Sequence, residues 1–407
     1  MNNIKQRLRT SPNWLDLIEE LEAEVEQIED KQEKAAELYL LGQAFEDLFL
    51  RKDRAMVAYQ KAFKLHPQDM LPLARARQIY REMGNLSMVA KLMEFQTKLV
   101  PDEASRAILL AELATISVDL RRIDAANAFL ADSLAEDADC SKARDIQLVL
   151  EHDQDTWQDV VATLARSADD QAVQRPAEAA RYYLQAARIH WMQEEGGVFY
   201  EELLHKVLEC DPEHEEANFL IEALFHEQER FDEILLLHNH RLEMAEDEQR
   251  MLLTLDFATL WSIRFENISV ASTFYVQALM LLYGELSGEF PGHVAALRLL
   301  REIGADDPEQ LEQVLDMARM AMEAPLEEEE LAMVAAEAGA LAWQEMGDLE
   351  GSLEFMIHLQ ALDPDHDLLA AFNLEHGDLL ADEPVDEEAT MEYAAPEVVD
   401  EDATVEV

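Results

Sequence analysis

Cysteine is almost missing from this chain. Cys140 and Cys210 are the only two in 407 residues, which excludes a secreted scaffold built on disulfides. Glycine and proline number 12 each, so collagen-like and proline-rich low-complexity classes are excluded as well. No apolar run approaches the ~18 residues of a membrane span. The opening segment MNNIKQRLRTSPNW has no apolar stretch behind its basic residues and does not read as a secretory signal. These absences lead to the expectation of a soluble, cytoplasmic protein. Positive charge is scarce too: 32 Lys and Arg face 87 Asp and Glu, for a net charge of −55. A nucleic-acid duplex would be repelled by that field, since binding it takes basic side chains on phosphates.

The scarcity is uneven. Positions 1–100 hold 16 acidic and 15 basic residues, whereas the remaining 307 hold 71 and 17. Lys206 is the last lysine and Arg319 the last arginine. An acidic excess keeps a protein solvated; it also attracts a basic partner and speeds its arrival.

What is present is helix. Ala, Leu, Glu, Gln, Met and Arg dominate, and apolar residues recur at steps of three and four. Ser11 and Pro12 suit the start of a first helix whose stripe is Trp14, Leu17, Ile18, Leu21, Val25 and Ile28. From about 35 to 68 a unit appears: Leu41-Gly42 and Phe45 in one helix, Ala55, Tyr59 and Ala62 in the next, then Pro67. A small residue early in the second helix permits close approach, the aromatic fills the space above, and proline ends the helix. Tyr80, Gly84-Asn85-Leu86 and Pro101 repeat the layout, as do Trp343, Gly347-Asp348-Leu349, Ser352 and Pro364. Ala271, Tyr275 and Ala278 keep the second-helix spacing, Pro212 closes a unit before Arg230-Phe231, and a weaker copy runs through Ala114, Ile123 and Ala126.

This pattern resembles the tetratricopeptide repeat (TPR), a helix–turn–helix unit of about 34 residues. The resemblance covers about 35–375, and half-repeat helical families share its look. It implies an all-α fold, a right-handed α-solenoid of antiparallel helix pairs. Residues 1–34 then form an N-terminal amphipathic helix or cap, 35–375 the solenoid, and 376–407 a disordered acidic tail with 12 acidic and no basic residues. Val173 to Pro176 reads as a break between helices, and Gly284 to Gly292 as a loop, either a hinge or a longer connection inside one array. In the resembled family the concave groove lined by first helices binds a peptide or helix of a partner. Here that implies Tyr39, Gln43, Glu46 and Asp47 in one copy, and Ala74, Gln78 and Arg81 in the next. Tyr39 and Gln43 stand where one branch of the family has a lysine and an asparagine that hold a terminal carboxylate, so no such clamp is expected.

No catalytic or metal constellation is read from the sequence. Gly196-Gly197 is an isolated pair rather than a phosphate loop. His226-Glu227-Gln228-Glu229 lacks the second histidine of a HExxH zinc site, because Arg230 stands there. His238 and His240 are two apart and point to different helix faces, and each cysteine reads as a small buried apolar residue. Glu327 to Glu330 suit a helix N-terminus, and Met317, Met320 and Met322 suit a core. The expectation is a non-enzymatic scaffold or adaptor, without cofactor or metal. It would bind a protein partner in its groove, its acidic C-terminal half steering a basic one. The alternatives are a self-associating structural subunit and an acidic mimic or chaperone for a nucleic-acid-binding protein.

Overall fold

The computed structural model describes Ile4, Arg7 and residues 14–381, except 152–155, 195–196, 285–292, 306 and 378; for 14–16, 247–248 and 381 it describes the backbone alone. Ser11, Pro12, the Trp14 side chain, most of the Gly284 to Gly292 segment and the acidic tail beyond 381 lie outside the described residues.

The described residues form twenty α-helices and no strand. They begin with α1 (Trp14–Glu26), α2 (Lys31–Asp47), α3 (Lys52–Leu65), α4 (Leu71–Glu82) and α5 (Leu86–Thr97). Next come α6 (Glu103–Asp119), α7 (Ile123–Glu136), α8 (Ser141–Leu150), α9 (Trp157–Gln171) and α10 (Pro176–Gln193). Then follow α11 (Val198–Cys210), α12 (Glu215–Glu227), α13 (Phe231–Met244), α14 (Asp247–Ile263) and α15 (Ile268–Gly284). The last are α16 (His293–Ile303), α17 (Pro308–Glu323), α18 (Glu328–Ala340), α19 (Leu349–Leu362) and α20 (Asp367–His376). Within each unit helices pack mainly on their neighbours in the chain, most closely as the pairs α2/α3, α6/α7, α9/α10, α14/α15, α10/α11 and α18/α19. The chain divides into two compact units, Met1–Glu327 and Glu328–Val407.

The helix ends follow from local chemistry. Asp30 accepts from the N–H groups of Gln32 and Glu33 to start α2, and Asp102 accepts from that of Ser105 to start α6. Pro176 and Pro308 occupy the first turns of α10 and α17, where no N–H is needed. Within a pair, the turn passes through one left-handed residue. These are Leu50, Gly84, Arg121, Glu229, Glu266 and Gly347. The next N–H bonds back to a carbonyl five or six residues earlier, as in Asn85 to Tyr80 and Arg122 to Ser117.

The repeat residues occupy the core. Ala55, Tyr59 and Ala62 are buried on α3, and a Cβ added at Gly42 would lie 2.5 Å from the Tyr59 ring. Glycine at 42 is therefore what admits tyrosine at 59. Ala271, Tyr275 and Ala278 are buried likewise. Met317 and Met322 are buried and Met320 half-buried. Cys140 is buried, but Cys210 is only half-buried at the end of α11, a departure from the sequence reading.

In the second unit, Glu328, Glu329 and Glu330 fill the first turn of α18. This helix widens into a π-helical turn, Leu341–Met346, and stops at left-handed Gly347. Asp348 caps α19. Leu341, Phe355, Met356, Leu359 and Phe372 form the core, and the Trp343 ring sits 5.2 Å from that of Phe372.

Candidate functional site

The residues singled out from the sequence lie on α2 and α4, the first helices of two successive pairs. Tyr39 is half-buried, its ring 5.5 Å from that of Tyr59. The Tyr59 hydroxyl donates to one oxygen of Glu46 at 2.9 Å, and Arg75 donates to the other at 2.6 Å. Arg75 also donates to the Gln78 side-chain oxygen at 3.3 Å, and the Gln78 amide donates to Glu82 at 3.1 Å. The second oxygen of Glu82 accepts from Lys52 at 2.9 Å, and Lys52 donates again to Asp256, also at 2.9 Å. One polar ladder therefore runs from Tyr59 through Glu46, Arg75, Gln78, Glu82 and Lys52 to Asp256.

Electrostatics in the ladder follow from burial and neighbours. Burial first, and then the Glu46 charge, push the Tyr59 phenol far above its ordinary value. Burial, and again Glu46, raise the Asp47 carboxyl against the pull of Arg75. Burial alone would lower the Lys52 ammonium, but Asp256 and Glu82 together raise it, so it stays charged. Gln43 and Ala74 are half-buried. Arg81 leaves this ladder and faces the carboxylates of Asp119 and Glu216. Four of the seven expected residues, Tyr39, Glu46, Asp47 and Gln78, thus share the α2–α4 surface next to Tyr59 and Arg75, Gln43 and Ala74 flank it, and Arg81 belongs by its charge partners to a second cluster.

That second cluster joins α6, α10 and α12. Arg188 is almost fully buried and donates to both Asp119 oxygens, at 3.0 and 3.2 Å, and to Glu216 at 3.0 Å. The two-pronged contact fits the planar guanidinium. A third cluster surrounds buried Glu222 on α12. His238 bonds one oxygen at 3.2 Å and Arg264 the other at 3.1 Å, with Arg241 at 3.7 Å. The other His238 nitrogen, Nδ1, accepts from the Trp261 indole at 3.1 Å, which puts the ring proton on Nε2, facing Glu222. Phe257 stacks flat on the imidazole at 3.9 Å. Burial would raise the Glu222 carboxyl, but the hydrogen bond from His238 and the charges of Arg264 and Arg241 hold it below the ordinary carboxylate range.

Arg264 has a second task. It donates to the backbone carbonyl of Glu82 at 3.2 Å, and a Cβ at Gly84 would lie 2.9 Å from its Nε. Together with the Lys52–Asp256 bond, this brings α3 and α4 against α14, some two hundred residues along the chain. Sequence reasoning missed this closure and both buried arginine clusters. Periodicity reports which face of a helix is apolar, whereas the closure depends on how each pair is rotated on the last, which no local pattern encodes.

His240, unlike His238, is exposed. Among the described residues no group of three or more His, Cys, Asp or Glu side chains is placed to hold a metal ion, and no helix is long and apolar enough to cross a membrane. A cleft of about 180 Å³ lies between α1, α2 and α3, floored by Leu38, Leu41 and Phe45. It is smaller than the several hundred Å³ usual for a small-molecule site.

No family model matches the chain, and no curated protein matches it. Among solved structures it is similar to yeast Tom70, at 14% identity over 89% of this chain and 100% of that one, with a TM-score of 0.23. It is similar to the TPR domain of P58(IPK), at 13% identity over 85% and 98%, with a TM-score of 0.23. It is also similar to the anaphase-promoting-complex assembly Cut9–Hcn1, at 12% identity over 84% and 70%, with a TM-score of 0.26. The fold that the described residues show is an all-helical array of helix pairs. At these identities and scores the likeness adds nothing to that description.

Proposed function

We propose that the chain is a non-enzymatic, cytoplasmic scaffold or adaptor that binds a protein partner along its first helices. The observation that carries this reading is the polar ladder on α2 and α4. Its side chains are held by one another, so a partner meets a surface whose rotamers are already fixed, and less ordering entropy is lost on binding. Tyr39, Gln43, Glu46, Asp47, Ala74, Gln78 and Arg81 are the groove residues of the proposal. The net charge of −55 is concentrated after residue 100, which fits a basic partner steered in by the acidic part of the chain.

The test is a pull-down with full-length and 1–375 baits, eluted in rising salt, followed by affinity measurement on the protein recovered. One partner held by both baits, and weakened at least tenfold by Gln78→Ala with Tyr39→Ala, supports the groove. A partner lost with the tail and indifferent to those substitutions replaces the groove reading with tail-driven binding.

A further inference from the structure

The second helices of the first two pairs carry a surface of opposite character to the rest of the chain. From Arg54 to Gln68 there is no carboxylate, and α5 has one, Glu94. Lys61, Lys64, Lys91 and Lys98 are all exposed. Lys61 lies 3.5 Å from Glu26, while Lys64 and Lys91 have no ion-pair partner among the described residues. Large apolar side chains of the same helices stand in water: Phe95 is 57% exposed, and Val57, which borders the cleft against α1 with Lys61, 48%. α3 and α5 are neighbours here, since the Phe63 and Phe95 rings meet edge to face at 6.3 Å. Lys91 and Phe95 are four residues apart on one helix face.

We propose that this α3–α5 surface docks an acidic protein segment that carries an apolar side chain. Charge complementarity sets the sign of the ligand: exposed lysines on a chain of net charge −55 are a local exception to its field. At ~0.1 M salt the screening length is about 10 Å, so a short ligand responds to these lysines rather than to distant carboxylates. Phe95 sets the second requirement, because an exposed aromatic is covered by an apolar group. Nucleic acid is disfavoured by the net charge of −55, which repels an extended phosphate backbone; Lys98 lies over one face of the Phe95 ring at 5.6 Å and Phe63 meets it edge to face. The surface is the length of one helix, about 20 Å for the fourteen residues of α3. This goes beyond the groove reading, for it uses the second helices and a partner of the other sign; together the two describe a bridge between an acidic and a basic protein.

The experiment uses full-length protein and a fluorescent peptide of Glu and Asp with a central Phe-Leu pair, read by anisotropy at ~0.1 M salt. The expected result is saturable binding that falls more than tenfold in the Lys64→Glu/Lys91→Glu double variant. It should fall several-fold in Phe95→Ala and stay unchanged in Arg166→Glu, a control on α9. Absence of peptide binding overturns the proposal, as does equal loss with the Arg166 control. A single-stranded RNA oligonucleotide or phosphatidylserine vesicle that outcompetes the peptide, and is itself lost with the lysine pair, replaces the acidic segment with that ligand.

Discussion

In the Met1–Glu327 unit, buried or half-buried carboxylates are held by arginine: Glu222 by Arg264, Asp119 by Arg188, Glu46 by Arg75. In the Glu328–Val407 unit there are 24 acidic residues and neither Lys nor Arg. There described acids serve helix starts, such as Asp348 on the Gly351 N–H and Glu328 to Glu330 in the first turn of α18, and others, such as Glu350 and Asp365, are exposed. The same helix-pair architecture thus accommodates two uses of negative charge. In the first unit a carboxylate is a structural part with a fixed partner. In the second it makes a field, which costs self-repulsion and has no geometry to lose.

The largest expected effect separates these uses directly. Glu222→Ala leaves Arg264 and His238 buried without their shared acceptor, and is expected to cost about 3–5 kcal/mol in denaturant unfolding of the first unit. The pH dependence has a definite sign. The Glu222 carboxyl is held below its ordinary 4.5 in the folded state, so its contribution is present above that value and lost as pH falls through the folded one. The gap between wild type and Glu222→Gln is widest near neutrality and closes in acid. A gap that widened in acid would contradict the ion-pair account. A single carboxylate-to-amide change at exposed Glu350 or Asp365 in the second unit is expected to shift stability by under ~0.5 kcal/mol.

Packing gives a second contrast. Gly42→Ala puts a methyl 2.5 Å from the ring of fully buried Tyr59, and the cost expected is about 2 kcal/mol. Gly339→Ala meets the flexible Met356 methyl at 3.1 Å, and the helix gains propensity over glycine, so a net change below ~1 kcal/mol is expected. Thermal melts of the two variants rank them, and the reverse order would refute the contrast. A smaller effect comes from Lys52→Ala, expected at about 1–2 kcal/mol. Its signature is faster hydrogen exchange in both α3 and α14, whereas Lys142→Ala, at an exposed pair with Glu112, leaves α14 unchanged. Smallest is salt. Raising it to ~0.5 M screens like charges and is expected to slow exchange in α19 and α20 while leaving α2 to α4 the same or faster.

The fold was legible where repeats kept their small and aromatic residues. Ala55, Tyr59 and Ala62 in the first copy, and Gly347 with Ser352 in the last, marked helix pairs that the structure contains. Between them the pattern fades for a physical reason. The turn needs one left-handed residue, which glycine adopts freely, yet Leu50, Arg121, Glu229 and Glu266 take that conformation here, so the turn glycine seen at Gly84 and Gly347 is absent from four pairs that still form the turn. At the candidate site, membership of the α2 and α4 surfaces was readable from helical spacing. The partners of Glu46 and Glu82 were not, because Tyr59, Arg75 and Lys52 reach them across helices. Arg81 was grouped with Gln78 by sequence, but its carboxylate neighbours come from α6 and α12.

The Lys52–Asp256 bond spans 204 residues, while nearly all other packing joins neighbouring helices. At ~5–20 residues per second, a ribosome takes about 10–40 s to deliver Asp256 after Lys52 has emerged. During that interval the early pairs fold locally, but Lys52 and the Glu82 carbonyl await their later ligands. Closure is therefore a separate, late event in synthesis, and its loop entropy makes it the slowest contact to form. A nascent chain halted before residue 256 presents a half-finished surface that the completed protein never shows.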